Sequence, residues 1–126
     1  VRVPTYCVAT AEDHIAPWRS VYAMTQLFSG EVTFRLGASG HIAGIISPPG
    51  KKKAAWWGDE PGAAAPASPD AWRAAASQHD GSSWWPDWEA WLAARSPERV
   101  PAPAGVGSQR YPALDDAPGT YVLERS

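Results

Sequence analysis

A strand–helix–strand pattern over residues 1–37 constrains the fold of this chain more than any other feature. The opening segment VRVPTYCVAT is short, apolar and rich in β-branched and aromatic residues, as is typical of a strand covered on both faces. The segment APWRSVYAMTQLFSG then has Pro17 where a first helical turn tolerates proline and Gly30 where a helix ends. Residues 32–36 alternate apolar and polar side chains, which predicts a second, half-covered strand.

This βαβ unit predicts two parallel strands joined by a right-handed crossover, and therefore an α/β fold. Two strands alone do not form a stable open sheet, because each needs neighbours for its edges and cover for its faces. The first residue, Val1, already lies in what looks like a strand. We therefore expect an incomplete sheet, whose remaining strands precede Val1 in a longer protein.

The second half of the chain predicts a connector and two helices. Residues 58–69 consist mainly of Ala, Pro, Gly and Ser and are interpreted as an irregular surface connector. The segment SPDAWRAAASQH begins with a serine N-cap followed by proline, which predicts a helix. The segment SSWWPDWEAWLAARSP has Pro86 near its start and Pro97 as a stop, and it predicts the clearest helix of this half. From residue 101 onward we expect at most a short strand, at GTYVLERS.

Two side chains suited to proton transfer follow the two predicted strands. Asp13 comes just after the first strand, and His41 follows the second within RLGASGHIAG. Neighbouring strands lie roughly 5 Å apart, and the active sites of open α/β sheets form at the carboxyl ends of the strands. A carboxylate beside an imidazole fixes the tautomer and lets the other ring nitrogen take a proton from a nucleophile. His41 is therefore a candidate general base, with Asp13 as its orienting partner.

A structural interpretation of the same residues stays open, in which Asp13 only caps the helix near Pro17 and His41 only satisfies a turn. A nucleophile within the chain is not expected. Ser39 in GASGH nearly completes a G-x-S-x-G motif, but His41 replaces the last glycine, and Ser39 follows the acid instead of preceding it. Cys7 lies in mid-strand, where burial raises the pKa of a thiol, so we interpret it as a packing residue. We expect the nucleophile upstream of this chain.

Three further features have both a functional and a structural interpretation. His14, next to Asp13, could bind a metal or tune the site, but a turn residue is the simpler interpretation. The lysines at 51–53 could meet the phosphates of a ligand, although a lysine run more often forms a solvated face. Six tryptophans suit either a core under the sheet, which we favour, or an apolar ligand or partner surface: Trp56, Trp57, Trp84, Trp85, Trp88 and Trp91.

Composition argues against several kinds of partner and site. The 126 residues suit one domain, and a net charge of −2 makes nucleic acid an unexpected partner. No apolar run approaches the ~20 residues that span a bilayer, so we expect a soluble protein. A single cysteine excludes an internal disulfide and fits a reducing cytosol. With one cysteine and three histidines, a structural zinc site is unexpected, and we expect no cofactor.

The motifs AEDHIAPW, LGASGHIAGIISPP and SSWWPDWEAWL together resemble the C-terminal end of polyhydroxyalkanoate synthases. The tail APGTYV favours the class I, short-chain type, and the resemblance covers nearly the whole chain. It implies the C-terminal portion of an α/β-hydrolase-like fold. Residues 1–57 would belong to the catalytic domain, and residues 58–126 would form a connector and Trp-rich helical tail of the same domain. Asp13 and His41 match the acid and the base of the family at its motifs.

The resemblance also implies a chemistry. A cysteine in a G-x-C-x-G elbow, which this chain does not contain, is deprotonated by His41, takes a 3-hydroxyacyl group from coenzyme A and passes it to the hydroxyl of the next unit. The substrates would be (R)-3-hydroxyacyl-CoA and the growing polyester chain, and this fragment alone would be inactive. Family members work as dimers on cytosolic polymer granules, so we expect a homodimer and a granule surface as partners.

Two alternatives stay open. One is a fragment of an α/β-hydrolase esterase or depolymerase, in which the same pair serves a serine nucleophile. The other is a Trp-rich module that binds polymer without catalysis.

Overall fold

A computed structural model describes residues 1–50, 54–60, 64–96 and 98–124 of the chain. Its elements, in chain order, are β1 (Thr5–Thr10), α1 (Trp18–Tyr22), α2 (Met24–Leu27), β2 (Val32–Gly37), β3 (Ala55–Gly58), α3 (Pro69–Ala75), β4 (Ser77–Asp80), α4 (Trp85–Arg95) and a 3₁₀ turn at Tyr121–Leu123. The strands form one open four-stranded sheet in the order β1-β2-β3-β4, so the structure is mixed α/β. Over these described ranges, no helix is long and apolar enough to cross a membrane.

The predicted βαβ unit is confirmed. β1 and β2 are parallel, with Thr5 opposite Val32 and Thr10 opposite Gly37, so both strands end at the same level. The helical segment between them is shorter than predicted and divided at Ala23, whose N–H donates to the carbonyl three residues earlier instead of four. It ends at Leu27, because the backbone of the next residue is extended.

Two strands that were not predicted extend the sheet beyond β2. β3 is antiparallel to β2, and β4 is antiparallel to β3. The described residues thus form four sheet strands where two were predicted, and β3 crosses the predicted boundary between residues 57 and 58. The expectation of further strands before Val1 stays a prediction.

β4 replaces the end of a predicted helix. α3 has the expected N-cap, since the Ser68 hydroxyl accepts the N–H of Ala71 at 3.3 Å, but the helix ends at Ala75. The residues that follow pair with β3, where His79 stacks flat on Trp56 with ring centroids 3.9 Å apart. Tertiary pairing therefore overrides a weak local preference for helix.

One face of the sheet carries an aromatic core. Seven buried side chains form it: Cys7, Ala9, Trp18, Tyr22, Phe34, Leu36 and Trp72. The ring of Phe34 meets that of Trp72 edge-on at 4.8 Å between centroids, and that of Tyr22 at 5.1 Å. α1 and α3, which supply these partners, therefore cover this face of β1 and β2.

α4 covers the opposite face through a buried charge network. Arg35 of β2 is only 3% exposed, and its guanidinium contacts Asp87 at 2.9 Å and Asp59 at 3.1 Å. The Tyr6 hydroxyl of β1 donates to Asp87 at 2.6 Å. Burial opposes the charge of Arg35, but the hydrogen bonds that it donates to Asp87, together with the negative charges of Asp87 and Asp59, outweigh that effect and raise the pKa of the guanidinium. A buried cation between two carboxylates fixes α4 against the sheet.

The predicted helix at SSWWPDWEAWLAARSP is confirmed as α4, with Pro86 in its first turn. The predicted stop at Pro97 lies outside the described residues, as do the lysines at 51–53. Nearly all of residues 98–124 are exposed. The segment GTYVLERS, where we expected at most a short strand, contains a 3₁₀ turn instead.

Candidate active site

Asp13 is held in a tight turn just after β1. Its Oδ1 atom accepts the backbone N–H groups of Ile15 at 2.8 Å and Ala16 at 2.9 Å. The backbone of this turn is joined to the loop after β2, because Glu12 N–H donates to the carbonyl of Ser39 at 3.0 Å. Oδ1 therefore stabilises the turn that precedes α1, but it does not cap that helix as the structural interpretation held, because the N-cap at Pro17 has no side-chain hydrogen bond. Oδ2 is directed elsewhere.

Oδ2 of Asp13 lies 2.7 Å from Nδ1 of His41, although the two residues are 28 positions apart in sequence. The parallel register explains the contact, since Thr10 and Gly37 are opposite each other and both side chains lie a few residues beyond them. The Asp13 side chain is 8% exposed, whereas that of His41 is 49% exposed. The structure thus brings together the two residues predicted from the sequence, with the imidazole facing an open surface.

The environment of Asp13 keeps the carboxylate ionised. The N–H of Ala16 and then the hydrogen bond with His41 lower the pKa of Asp13 from 3.8 to about 2. An ionised carboxylate only accepts hydrogen bonds, so Nδ1 of His41 is the donor in this contact. The neutral imidazole then has Nε2 as its proton acceptor, which is the arrangement of a general base oriented by an acid.

Gly44 allows the turn that carries the histidine, residues 41–47, to lie directly on the end of β1. A Cβ atom at this position would be 2.3 Å from Cγ2 of Thr10 and 2.6 Å from the carbonyl oxygen of Ala38. The turn is closed by the N–H of Gly44, which donates to the carbonyl of Gly40 at 3.1 Å. We call residues 41–47 the histidine turn.

The segment that leads into α4 contacts the histidine turn from the side. Three side chains donate to three of its carbonyl groups: Trp84 to Gly44 at 3.1 Å, Trp85 to Ile45 at 3.1 Å, and Ser83 to Ser47. The Ser83 hydroxyl also accepts the N–H of Trp85 at 3.0 Å. We call Ser83, Trp84 and Trp85 the serine–tryptophan clamp. Sequence reasoning missed these contacts, because no local pattern links donors and acceptors 36 to 40 positions apart.

The other candidate residues take structural places. Cys7 is buried beside Met24, and burial raises the pKa of its thiol to about 11, as expected of a packing residue. Ser39 has a left-handed backbone, with φ of 75°, in the loop that leads to the histidine. His14 is exposed. Among the described residues, no group of three His, Cys, Asp or Glu side chains could hold a metal ion.

The six tryptophans divide between core and surface. Trp56 and Trp84 are buried, Trp88 is 41% exposed, and the other three are partly buried. Trp84 and Trp91 both pack against the ring of Tyr6, at 6.2 and 5.6 Å between centroids. The favoured core interpretation is therefore confirmed for Trp56 and Trp84, and Trp88 is the most exposed of the six.

The chain is 50% identical over all of its 126 residues to the poly(3-hydroxyalkanoate) polymerase subunit PhaC of Cupriavidus necator. It is 48% identical over 122 residues to the poly(3-hydroxyalkanoate) polymerase of Methylorubrum extorquens, and 42% identical over 125 residues to poly(3-hydroxyalkanoate) polymerase 1 of Ectopseudomonas oleovorans. These alignments cover 100%, 97% and 99% of this chain. No protein-family model matches it.

The chain spans only 21%, 20% and 22% of the length of these three relatives. The similarity therefore extends over essentially all of this chain but over only about one fifth of each relative. Along its whole length, the chain matches a fragment of polyhydroxyalkanoate synthase, the family that its motifs resemble.

Proposed function

We propose that this chain is part of a polyester synthase, an acyltransferase that polymerises (R)-3-hydroxyacyl-CoA into polyhydroxyalkanoate with release of coenzyme A. The observation that carries the proposal is the 2.7 Å contact between Asp13 Oδ2 and His41 Nδ1 at the carboxyl ends of two parallel strands. The names of the relatives, all poly(3-hydroxyalkanoate) polymerases, support the reaction class.

In the proposed mechanism, Nε2 of His41 removes the proton from a cysteine thiol supplied by a part of the protein outside this chain. The thiolate attacks the thioester carbonyl of the substrate, and coenzyme A leaves as a thiol after taking that proton from His41. His41 next removes the proton from the hydroxyl of another unit, whose oxygen attacks the acyl-cysteine. A new ester bond forms, and the cysteine thiolate takes the proton back. Ionised Asp13 stabilises the imidazolium at each stage.

The proposal includes a fold and partners for the complete protein. β1 is at the edge of the sheet, so strands from elsewhere in the protein can pair with it and complete an α/β-hydrolase-like domain. Residues 58–126 would belong to the same domain as residues 1–57, which agrees with the positions of β4 and α4 on the shared sheet. A homodimer at the surface of cytoplasmic polymer granules is the proposed working state, and this fragment alone is expected to be inactive.

Acylation of the enzyme tests the proposal. A complete synthase that contains this segment is mixed with 3-hydroxybutyryl-CoA, and the acylated residue is identified by mass spectrometry while coenzyme A release is followed. We expect acylation of a cysteine, and we expect His41→Ala to slow it at least about 100-fold, the usual contribution of a general base. His14→Ala, the neighbouring histidine, is the matched control and should behave like the parent. Equal acylation of the His41→Ala protein would refute the proposal.

The same experiment addresses the two alternatives. An acyl group on serine, together with an activity that is insensitive to thiol alkylation, would indicate an esterase or depolymerase with a serine nucleophile. Binding of polyester without any acylation would indicate a binding module. The placement of Trp56 and Trp84 in the interior leaves fewer indole rings for such a surface.

A further inference from the structure

The serine–tryptophan clamp connects the histidine turn to a rigid part of the fold. α4 is fixed to the sheet independently of the turn, because Asp87 binds both Arg35 and Tyr6. Ser83 and Trp84, just before this helix, are only 7% and 8% exposed. Because these donors are already held in place, little further conformational entropy is lost when they bind the carbonyl groups of the turn.

Part of the histidine turn is exposed to solvent. Two of its three isoleucines point outward, Ile42 with 71% exposure and Ile46 with 57%. Its internal hydrogen bonds close the turn but do not attach it to the sheet. The packing of Gly44 against Thr10 is a further close approach between the turn and the end of β1. Burial of Ile42 and Ile46 therefore contributes little to the position of the turn.

We propose that Ser83, Trp84 and Trp85 are positioning residues, which hold the histidine turn so that Nε2 of His41 faces the reacting sulfur. The inference rests on the proposed function. Asp13 fixes the rotation of the imidazole ring through Nδ1, whereas the clamp fixes the backbone that carries the ring. Both are needed, because a correctly oriented ring still loses about 100-fold in rate when it is displaced by about 1 Å.

Replacement of an indole by a phenyl ring tests the hydrogen bond that the indole N–H donates to the turn. In the complete synthase, Trp84→Phe and Trp85→Phe each remove one donor to the turn and keep an aromatic ring in the same place. Trp57→Phe is the matched control, since it also removes one indole hydrogen bond, to Gln78 on β4, away from the turn. Each variant is measured for coenzyme A release, as kcat and KM separately, and for amide hydrogen exchange over residues 41–47. His41→Ala is included as the reference for loss of the base.

We expect Trp84→Phe and Trp85→Phe to lower kcat about tenfold with little change in KM, a loss within the range for misplaced catalytic groups. Amide exchange over residues 41–47 should accelerate in both variants and stay unchanged in Trp57→Phe. The inference is overturned if kcat stays at the control value, whether or not exchange accelerates. It is also overturned if exchange is unchanged while kcat falls. Full turnover by His41→Ala is a separate outcome, which refutes the proposed function itself. If Trp84→Phe fails to fold, the partly buried Trp85 still decides the question.

Discussion

Gly44→Ala tests whether the histidine turn must lie against the end of β1. A new Cβ atom would be 2.3 Å from the Thr10 methyl group, whereas carbon atoms in contact are about 3.5 to 4.0 Å apart. The turn would have to move by at least about 1 Å at this point, because the Ala38 carbonyl blocks the Cβ atom from another direction at 2.6 Å. Such a shift moves the backbone three residues after His41.

Two consequences follow for the complete synthase. Overpacking of this kind costs about 1 to 3 kcal/mol of stability, so the melting temperature should fall by a few degrees. The release of coenzyme A should slow by up to about 100-fold, because the base is displaced from the reacting group. Thermal unfolding and a steady-state assay of coenzyme A measure the two effects in the same preparations.

Two other glycines provide matched controls. Among the described residues, a Cβ atom at Gly40, immediately before His41, would meet only the Glu12 carbonyl at 3.9 Å, and one at Gly105 would meet nothing within 4 Å. Gly40→Ala and Gly105→Ala should therefore retain near-parental rates. A Gly44→Ala protein with the rate and melting temperature of these controls would refute the close packing of the turn and its link to catalysis.

Three further predictions concern the charge network, the acid and the thiol. Asp87→Asn removes one of the two carboxylates that neutralise buried Arg35 and should destabilise the protein by about 3 kcal/mol in chemical denaturation, since breaking a buried pair is costly. Asp70→Asn, in an exposed ion pair, should cost less than about 1 kcal/mol, and equal losses would contradict the network. Because the pKa of Asp13 is lowered from 3.8 to about 2, its stabilising effect is complete above pH 3.8 and is lost as the pH falls through about 2. The difference in melting temperature between the parent and Asp13→Asn should therefore shrink over that interval, and a constant difference would contradict the assignment. The Cys7 thiol, with its pKa raised to about 11, should resist iodoacetamide at pH 8 until the protein unfolds, and rapid modification in the native state would show that it is not buried.

The sequence predicts those parts of the fold whose pattern is local. β1, β2 and α4 each have a clear periodicity or a clear proline signal within a single segment. β3 is only four residues long, too short for a period to appear, and β4 follows directly on α3 without a glycine or proline. β4 is defined by its pairing with β3, which includes the stack of His79 on Trp56, and such long-range pairing has no local signal in the sequence.

The candidate site, too, was predictable from the sequence only in part. The meeting of Asp13 and His41 follows from the rule that adjacent parallel strands end together, and the contact at 2.7 Å agrees with it. The serine–tryptophan clamp could not be predicted, because an indole N–H binds whichever carbonyl the fold presents. The double role of Asp13 was also missed, since the alternatives from the sequence were a helix cap or an orienting acid, whereas one oxygen atom stabilises the turn before α1 and the other contacts His41.

The central claim is that ionised Asp13 makes His41 an effective base, and the kcat of coenzyme A release in an Asp13→Asn synthase tests it most directly. Glu12→Gln is the matched control, because it neutralises the adjacent carboxylate and leaves the backbone hydrogen bond of Glu12 to Ser39 in place. We predict that Asp13→Asn lowers kcat at least about 100-fold while Glu12→Gln stays at the parental rate. Equal rates for the two variants would contradict the account.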